Sequence, residues 1–473
     1  MTMRDAARAA SVSHCFLRSW RRHSNLDLDA KTLRATKPSH PIDHKAQMAE
    51  ESATIEDQES SRTKRSRRTT MEFVARVDRI MRSHAGAGVR TFRLRPPLCS
   101  CIDSAILDHW IRAAIMPGIR VLELQELGMG YSFSCSLLSS DSSSSLTSLT
   151  LTGCRFRCDD DDGASVLLLT SLRSVYLRDV RVTDEELNTF LSRCPALKQM
   201  EISRCHGLVS LGVPHHLTQL KSIQVLHCDR LETIECDASK LVSLGYVGAH
   251  VGVVSLGRVR ELEMLGSDEA PAMLCHAIAE LPSVAPNLRS LFLSSYFELG
   301  MEENVRHEDY TLRDTDEGEN SSQPQAKRRL HKLKKLKNVI ISGFCSGKGM
   351  IELTRNILEN APSLNHMILD TTYGFHKNWL NSSKNHHRCM PLMTRNALME
   401  AKKAMDDIRR HIIKGKVPSS DDRLKIIKPC RKCQTSDKKE DFKKTWLAVW
   451  DERNRRMSLG RCRSASQIAA FTI

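Results

Sequence analysis

The sequence predicts an α/β solenoid of stacked repeats, with parallel strands on a concave face and helices on a convex face. Three observations carry this. Between Leu172 and Tyr246 one apolar pattern recurs: Leu172-Arg-Ser-Val175-Tyr-Leu177, Leu197-Lys-Gln-Met200-Glu-Ile202, Leu220-Lys-Ser-Ile223-Gln-Val225 and Leu241-Val-Ser-Leu244-Gly-Tyr246. The starts fall 25, 23 and 21 residues apart, matching the L-x-x-L-x-L strand and the roughly 20–29-residue period of a leucine-rich repeat. Second, the template extends upstream through Val89/Phe92/Leu94, Ile119/Leu122/Leu124 and Leu146/Leu149/Leu151. Downstream it continues through Val259/Leu262/Met264, Leu288/Leu291/Leu293, Leu336/Val339/Ile341 and Leu364/Met367/Leu369. Third, Cys154, Cys205 and Cys228 stand three residues after the last strand position, where the repeat asks for Asn or Cys to satisfy backbone groups at the turn. Three inward side chains per unit cannot be buried by that unit alone, so neighbours must stack.

Composition narrows the class further. A solenoid accommodates 473 residues without one central core. Lysine plus arginine exceed aspartate plus glutamate by 71 − 56 = 15, a balance that suits nucleic acid, an anionic membrane or an acidic partner. The densest runs are Arg62–Arg68 and Lys327–Lys337. They read as solvated linker charge and lack the aromatic interleaving of a nucleic-acid groove, which argues against nucleic acid as a partner. The 16 cysteines are scattered and no secretory signal precedes them, so reduced thiols and a cytoplasmic or nuclear location are expected. No apolar run approaches the roughly 20 residues of a membrane span.

In chain order, residues 4–20 favour helix, with Val12, Phe16 and Trp20 at i, i+4 and i+8 forming one apolar stripe. Residues 31–70 are polar, without period, and read as a flexible linker. An amphipathic helix is expected over 71–83 (Phe73, Val74, Val77, Ile80, Met81) and another over 102–115, ending at Pro117-Gly118. Thr183-Asp-Glu-Glu186 is a capping box for a helix over 184–193. Repeats fill 71–297, and a charged insert without apolar ladder occupies 298–330. Ser346 is placed to cap a helix over 347–360, with Met350, Ile351, Ile357 and Leu358 inward; a further helix spans 396–412.

Motifs for chemistry are weak. Gly343-Phe-Cys-Ser-Gly347-Lys348-Gly349 is one residue short of a phosphate loop and carries Gly where Ser or Thr would hold magnesium. Asp159–Asp162 lacks the alternating spacing of a calcium loop. Cys430-x-x-Cys433 with His386, His387 and Cys389 lacks the second paired spacing of a structural zinc site. No cofactor, metal or catalytic activity is expected.

Two stretches resemble a known family. Arg4-Asp-Ala-Ala-Arg-Ala-Ala-Ser-Val-Ser-His-Cys-Phe-Leu-Arg-Ser-Trp20 resembles the second half of a plant F-box, the adaptor-binding module of cullin–RING ubiquitin ligases. The family's first helix has no counterpart before Arg4, so a partial F-box is expected over 1–30. The phrases Ile340-Ile-Ser-Gly-Phe-Cys-Ser346, Ile351-Glu-Leu-Thr354, Leu369-Asp-Thr-Thr372, Gly415-Lys-Val-Pro-Ser419 and Pro429-Cys-Arg-Lys-Cys433 resemble the FBD-like C-terminal region of plant F-box/LRR proteins, assigned to 331–433. Residues 434–473 follow no family phrase. The resemblance implies a non-catalytic substrate receptor of an SCF-type ligase, holding a Skp-type adaptor and, through it, a cullin. Arg4, Arg8, Val12, Phe16 and Trp20 would meet the adaptor. The target would meet positions between ladder residues: Arg173, Tyr176, Lys198, Glu201, Gln224 and Arg289. The alternative is a repeat-only scaffold, or a non-functional relative, whose truncated F-box has lost the adaptor; the N-terminal helix then caps the first repeats.

Overall fold

In the computed structural model the described residues are 23–33, 55–84, 89–97, 102–115, 118–138, 145–158, 168–236, 238, 240–248, 252–256, 259–266, 285–295, 333–346, 348–372, 395–413 and 423–429. The chain divides into two compact units, Met1–Leu220 and Lys221–Ile473.

The first unit carries six parallel strands paired in chain order: β1 (Asn25–Asp29), β2 (Thr91–Arg95), β3 (Val121–Leu124), β5 (Ser148–Thr152), β7 (Ser174–Arg178) and β8 (Gln199–Ser203). Short strands β4 (Ser132–Ser134) and β6 (Arg155–Arg157) pair with each other, and β9 (Ser210–Val213) lies by the helix Asp184–Ser192. The second unit carries seven parallel strands, again in chain order: β10 (Ser222–Leu226), β12 (Ser243–Gly248), β14 (Glu261–Gly266), β15 (Ser290–Ser295), β16 (Asn338–Ser342), β17 (His366–Asp370) and β18 (Leu424–Ile427). There, too, a second pair forms, between β11 (Thr233–Cys236) and β13 (Gly252–Ser255). All-parallel strands joined through helices and turns are the expected α/β leucine-rich-repeat solenoid.

Every ladder residue whose side chain is described is buried, from Val89, Phe92 and Leu94 to Leu364, Met367 and Leu369. The ladder continues past each strand. Two residues after the last ladder position the backbone turns left-handed, at Glu126, Gly153, Asp179, Arg204, His227 and Gly343, with φ between 50° and 71°. That twist turns the residue's N–H onto the next strand: Glu126 N–H donates to Thr152 O at 2.9 Å, Gly153 N–H to Arg178 O at 3.0 Å and Asp179 N–H to Ser203 O at 2.8 Å. Four of the six are not glycine, although a side chain there costs about 1 kcal/mol or more. The gained hydrogen bond and the burial of the following residue offset that cost. The following residue is where the expected cysteines sit. Cys205 donates to Leu177 O and Ser203 O, and Cys228 to Leu226 O.

The helices agree with expectation at some positions and depart from it at others. The capping box is present in full: Thr183 Oγ1 accepts from Glu186 N–H, and the Glu186 carboxylate accepts from Thr183 N–H at 2.8 Å. Asp103 caps the helix Ser104–Ala114, whose Trp110 is fully buried, edge-on to Phe73, and donates to Asp78 at 2.7 Å. The helix expected over 71–83 spans Ile55–Ser83 and takes in part of the stretch read as linker; Arg68–Glu72 and Arg76–Glu72 pairs one turn apart support it. Residues 25–29 form an edge strand, not the tail of a helical module. The side chain and backbone N–H of Ser346 both donate to Glu400, tying the helix Arg395–Asp407 to the turn; the first-turn contacts that a Ser346 cap would make lie outside the described residues. In the helix Lys348–Asn360, Leu353 and Thr354 are buried with Met350 and Ile357, whereas Ile351 and Leu358 are half-buried. The last helix passes into a π-helical turn, Ile408–Ile413.

One position tests how tightly the repeats stack. A Cβ on Gly207 would stand 2.5 Å from Val182 O, a backbone atom of the preceding repeat. Gly207→Ala should therefore destabilise the protein by about 1–3 kcal/mol in chemical denaturation, while Gly130→Ala, where a Cβ meets nothing within 4 Å, should be close to neutral.

Candidate functional site

Side chains between the ladder positions point away from the buried face, and strand register lines them up in rows. In the first unit the central row reads Asp27, Arg93, Glu123, Thr150, Tyr176, Glu201. Charges alternate at its start: Arg93 Nε lies 2.8 Å from Glu123, and Arg95 lies 3.9 Å from Asp29. Burial raises the Asp27 carboxyl, opposed by Arg93. Further along, Gln199 donates to Ser174 Oγ at 2.7 Å and to the Tyr176 hydroxyl at 2.9 Å. Tyr176 and Glu201 are thus half-buried members of an ordered polar surface. Burial pushes Glu201 above its ordinary value, and Arg178 opposes the shift.

In the second unit the same row reads Gln224, Gly245, Glu263, Phe292, Ile340, Ile368, Lys425. Here the face changes character. Phe292, Ile340 and Ile368 are 5%, 1% and 5% exposed and form one apolar cluster, with Ile427 packed against it. Positions between ladder residues are therefore not uniformly exposed. Close by, the phrase Leu369-Asp-Thr-Thr372 makes a structural turn: the fully buried Asp370 accepts from Thr372 N–H and Oγ1, and Thr371 donates to Ile427 O.

A second row runs along the leading edge of the strands. It holds the residue just after the first ladder position: Arg90, Arg120, Thr147, Arg173 and Lys198 in the first unit, then Lys221, Val242, Arg260, Arg289, Lys337 and Asn365 in the second. Within each unit carbonyls of this row each accept two consecutive N–H groups from the next repeat; Arg120 O takes Thr147 and Ser148, and Arg173 O takes Lys198 and Gln199. The backbone is pinned while the side chains stand in solvent. All eight Arg and Lys of this row are exposed, and no acidic residue occurs in it.

The six expected target-facing residues thus fall into two places. Arg173, Lys198 and Arg289 belong to the basic edge row, and Tyr176, Glu201 and Gln224 to the central row. Arg90, Arg120, Lys221, Arg260 and Lys337 were not among them, although Val89-Arg90, Ile119-Arg120 and Leu220-Lys221 carry the same apolar–basic step as Leu172-Arg173. The adaptor-facing set, Arg4, Arg8, Val12, Phe16 and Trp20, lies outside the described residues, as do His386, His387, Cys389, Cys430 and Cys433. Among the described residues no group of three or more His, Cys, Asp or Glu is placed to hold a metal, and no helix is long and apolar enough to cross a membrane. Eight described cysteines are buried. Burial raises the Cys154 thiol to about 12 and lifts Cys135 and Cys194 as well, so these thiols stay protonated and unreactive.

With the repeat geometry established, comparison with known proteins places the chain. The family described as At1g61320/AtMIF1, LRR domain, matches residues 80–313 and 304–431. The chain belongs to that leucine-rich-repeat family. It is also similar to the "Putative F-box/LRR-repeat protein At3g58880" of Arabidopsis thaliana, at 24% identity over 267 residues. That match covers 52% of this chain and 56% of the relative, so the chain spans little more than half of the relative's length.

The raised Glu201 makes a prediction about pH. The folded protein holds this proton more tightly than the unfolded chain, so stability falls as pH rises from the ordinary value of 4.5 through the higher folded one. Above that window the buried charge is a fixed cost. Glu201→Gln should therefore melt higher than wild type at pH 7, and the difference should close as pH drops below the window.

Proposed function

We propose that this chain is a non-catalytic interaction protein that recognises a protein target through its repeat sheet, as the substrate receptor of an SCF-type cullin–RING ubiquitin ligase. The observation that carries the first half of this reading is the pair of rows on the first unit's open sheet face. Polar and charged side chains at fixed strand spacing, on a pinned backbone, form an extended surface suited to another polypeptide. Arg173, Tyr176, Lys198 and Glu201 are the target contacts there, with Gln224 and Arg289 their counterparts in the second unit. Buried, protonated thiols supply no nucleophile.

The second half of the reading rests on the N-terminal resemblance and on the F-box/LRR relative. In it, Val12, Phe16 and Trp20 bury their apolar faces against a Skp-type adaptor, with Arg4 and Arg8 at the rim. The adaptor brings the cullin, and the catalytic step belongs to other subunits. The soluble complex would act in the cytoplasm or nucleus.

Capture of the purified chain on an immobilised Skp-type adaptor tests this. Binding should weaken more than about tenfold in Phe16→Ala/Trp20→Ala, because truncating aromatic anchors at an interface costs about 2 kcal/mol or more. A folded chain that does not bind the adaptor leaves a repeat scaffold in place of a ligase receptor.

A further inference from the structure

One cavity, of about 540 Å³, opens along the edge row at the leading ends of β5 and β7, lined by Arg120, Ser145, Thr147, Ser148, Arg173 and Ser174. The lining has two cations, four hydroxyls and no carboxylate. Arg120 and Arg173 flank Thr147 on successive strands, so their backbones stand about 10 Å apart, two strand spacings. That separation lets two long side chains converge on one small group between them. Among the described residues neither guanidinium has an acidic partner.

The hydroxyls are not equivalent. Ser145 Oγ is consumed locally, donating to Ile119 O and accepting from Gly118 N–H. Thr147 Oγ1 donates to Arg120 O at 2.9 Å, which pins the strand end. Ser174 Oγ accepts from Gln199 and hydrogen-bonds the Tyr176 hydroxyl, so it too is held locally. The side-chain hydroxyl of Ser148, its direct cross-strand neighbour, has no intramolecular hydrogen bond among the described residues. Two guanidinium forks and the Ser148 hydroxyl thus line one space. A planar carboxylate offers two acceptor oxygens, whereas a phosphate monoester offers three at about −1.5 to −2 charge, which this donor set matches better.

We propose that this cavity binds a phosphate monoester on the protein target, with Arg90 and Lys198 on either side attracting acidic residues that flank it. The inference rests on the target-recognition reading above and names the chemistry recognised. A polypeptide is favoured over single-stranded nucleic acid because the edge row has no aromatic side chain on which bases would stack.

Calorimetric titration of the full chain tests the site. The probe is a pool of short peptides with a central phosphoserine and degenerate flanks, compared with the same pool carrying serine. The phosphorylated pool should bind at least about tenfold tighter, and inorganic phosphate should compete with it. The preference should shrink below about pH 6, where the monoester takes up its second proton. Arg120→Ala/Arg173→Ala should abolish the preference without changing the melting temperature, and Ser148→Ala should reduce it. Arg204→Ala, which removes an exposed charge at the other end of a strand, should leave it intact. Equal binding of both pools, or a preference that survives Arg120→Ala/Arg173→Ala, overturns the proposal. So does tighter, steeply salt-dependent binding of a single-stranded oligonucleotide. Adaptor capture measured on the same samples separates the two readings: phosphopeptide preference without adaptor binding removes the ligase role alone, and adaptor binding without phosphopeptide preference removes the phosphate site alone.

Discussion

The structure depends on one constraint: no repeat can satisfy its own backbone or bury its own ladder. The carbonyl just before each strand accepts two N–H groups from the next repeat, as Arg120 O does from Thr147 and Ser148. At the other end, a left-handed residue such as Asp179 turns its N–H onto the next strand. Between these anchors the apolar side chains meet only when the register is held. Hydrogen bonding and burial therefore select the same register, which is what makes such a repeat stack cooperative. The cost of four non-glycine left-handed residues is tolerated because the alternative is an unpaired backbone donor beside a buried side chain.

The same anchoring shapes the surface. Because the edge carbonyls are fixed, the side chains attached to those residues are presented at a regular spacing, and eight of them are Arg or Lys. Part of the chain's positive charge is therefore organised on a rigid edge of the repeats and not confined to the runs at Arg62–Arg68 and Lys327–Lys337. The central row follows a different logic. Around Arg93 and Glu123 it neutralises itself across strands; around Phe292, Ile340 and Ile368 it becomes apolar and buried. Two faces with different chemistry thus arise from one repeat template.

The fold was readable because its signals are local and periodic. The spacing of Leu172, Leu197, Leu220 and Leu241 marks the strands, Cys205 and Cys228 mark the turns, and Thr183 with Glu186 marks a helix start. The edge strands β1 and β18 were not readable: Leu26/Leu28 and Leu424/Ile426 are too short to carry a period, and they become strands only because a neighbour presents an open edge. Ser346 was read as a cap because capping is the local habit of serine, but its hydrogen bond to Glu400, 54 residues on, is a long-range contact that no local pattern announces.

By itself the sequence determined the repeat class, the ladder residues and the presence of basic residues after the first ladder position, since each follows from side-chain periodicity along the chain. It left open which of those basic residues share a site. Tertiary structure alone decided that Arg120 and Arg173, 53 positions apart, flank one cavity with Ser148 and Ser174. Parallel pairing brings next-but-one repeats within about 10 Å, and no spacing within a single repeat encodes that distance.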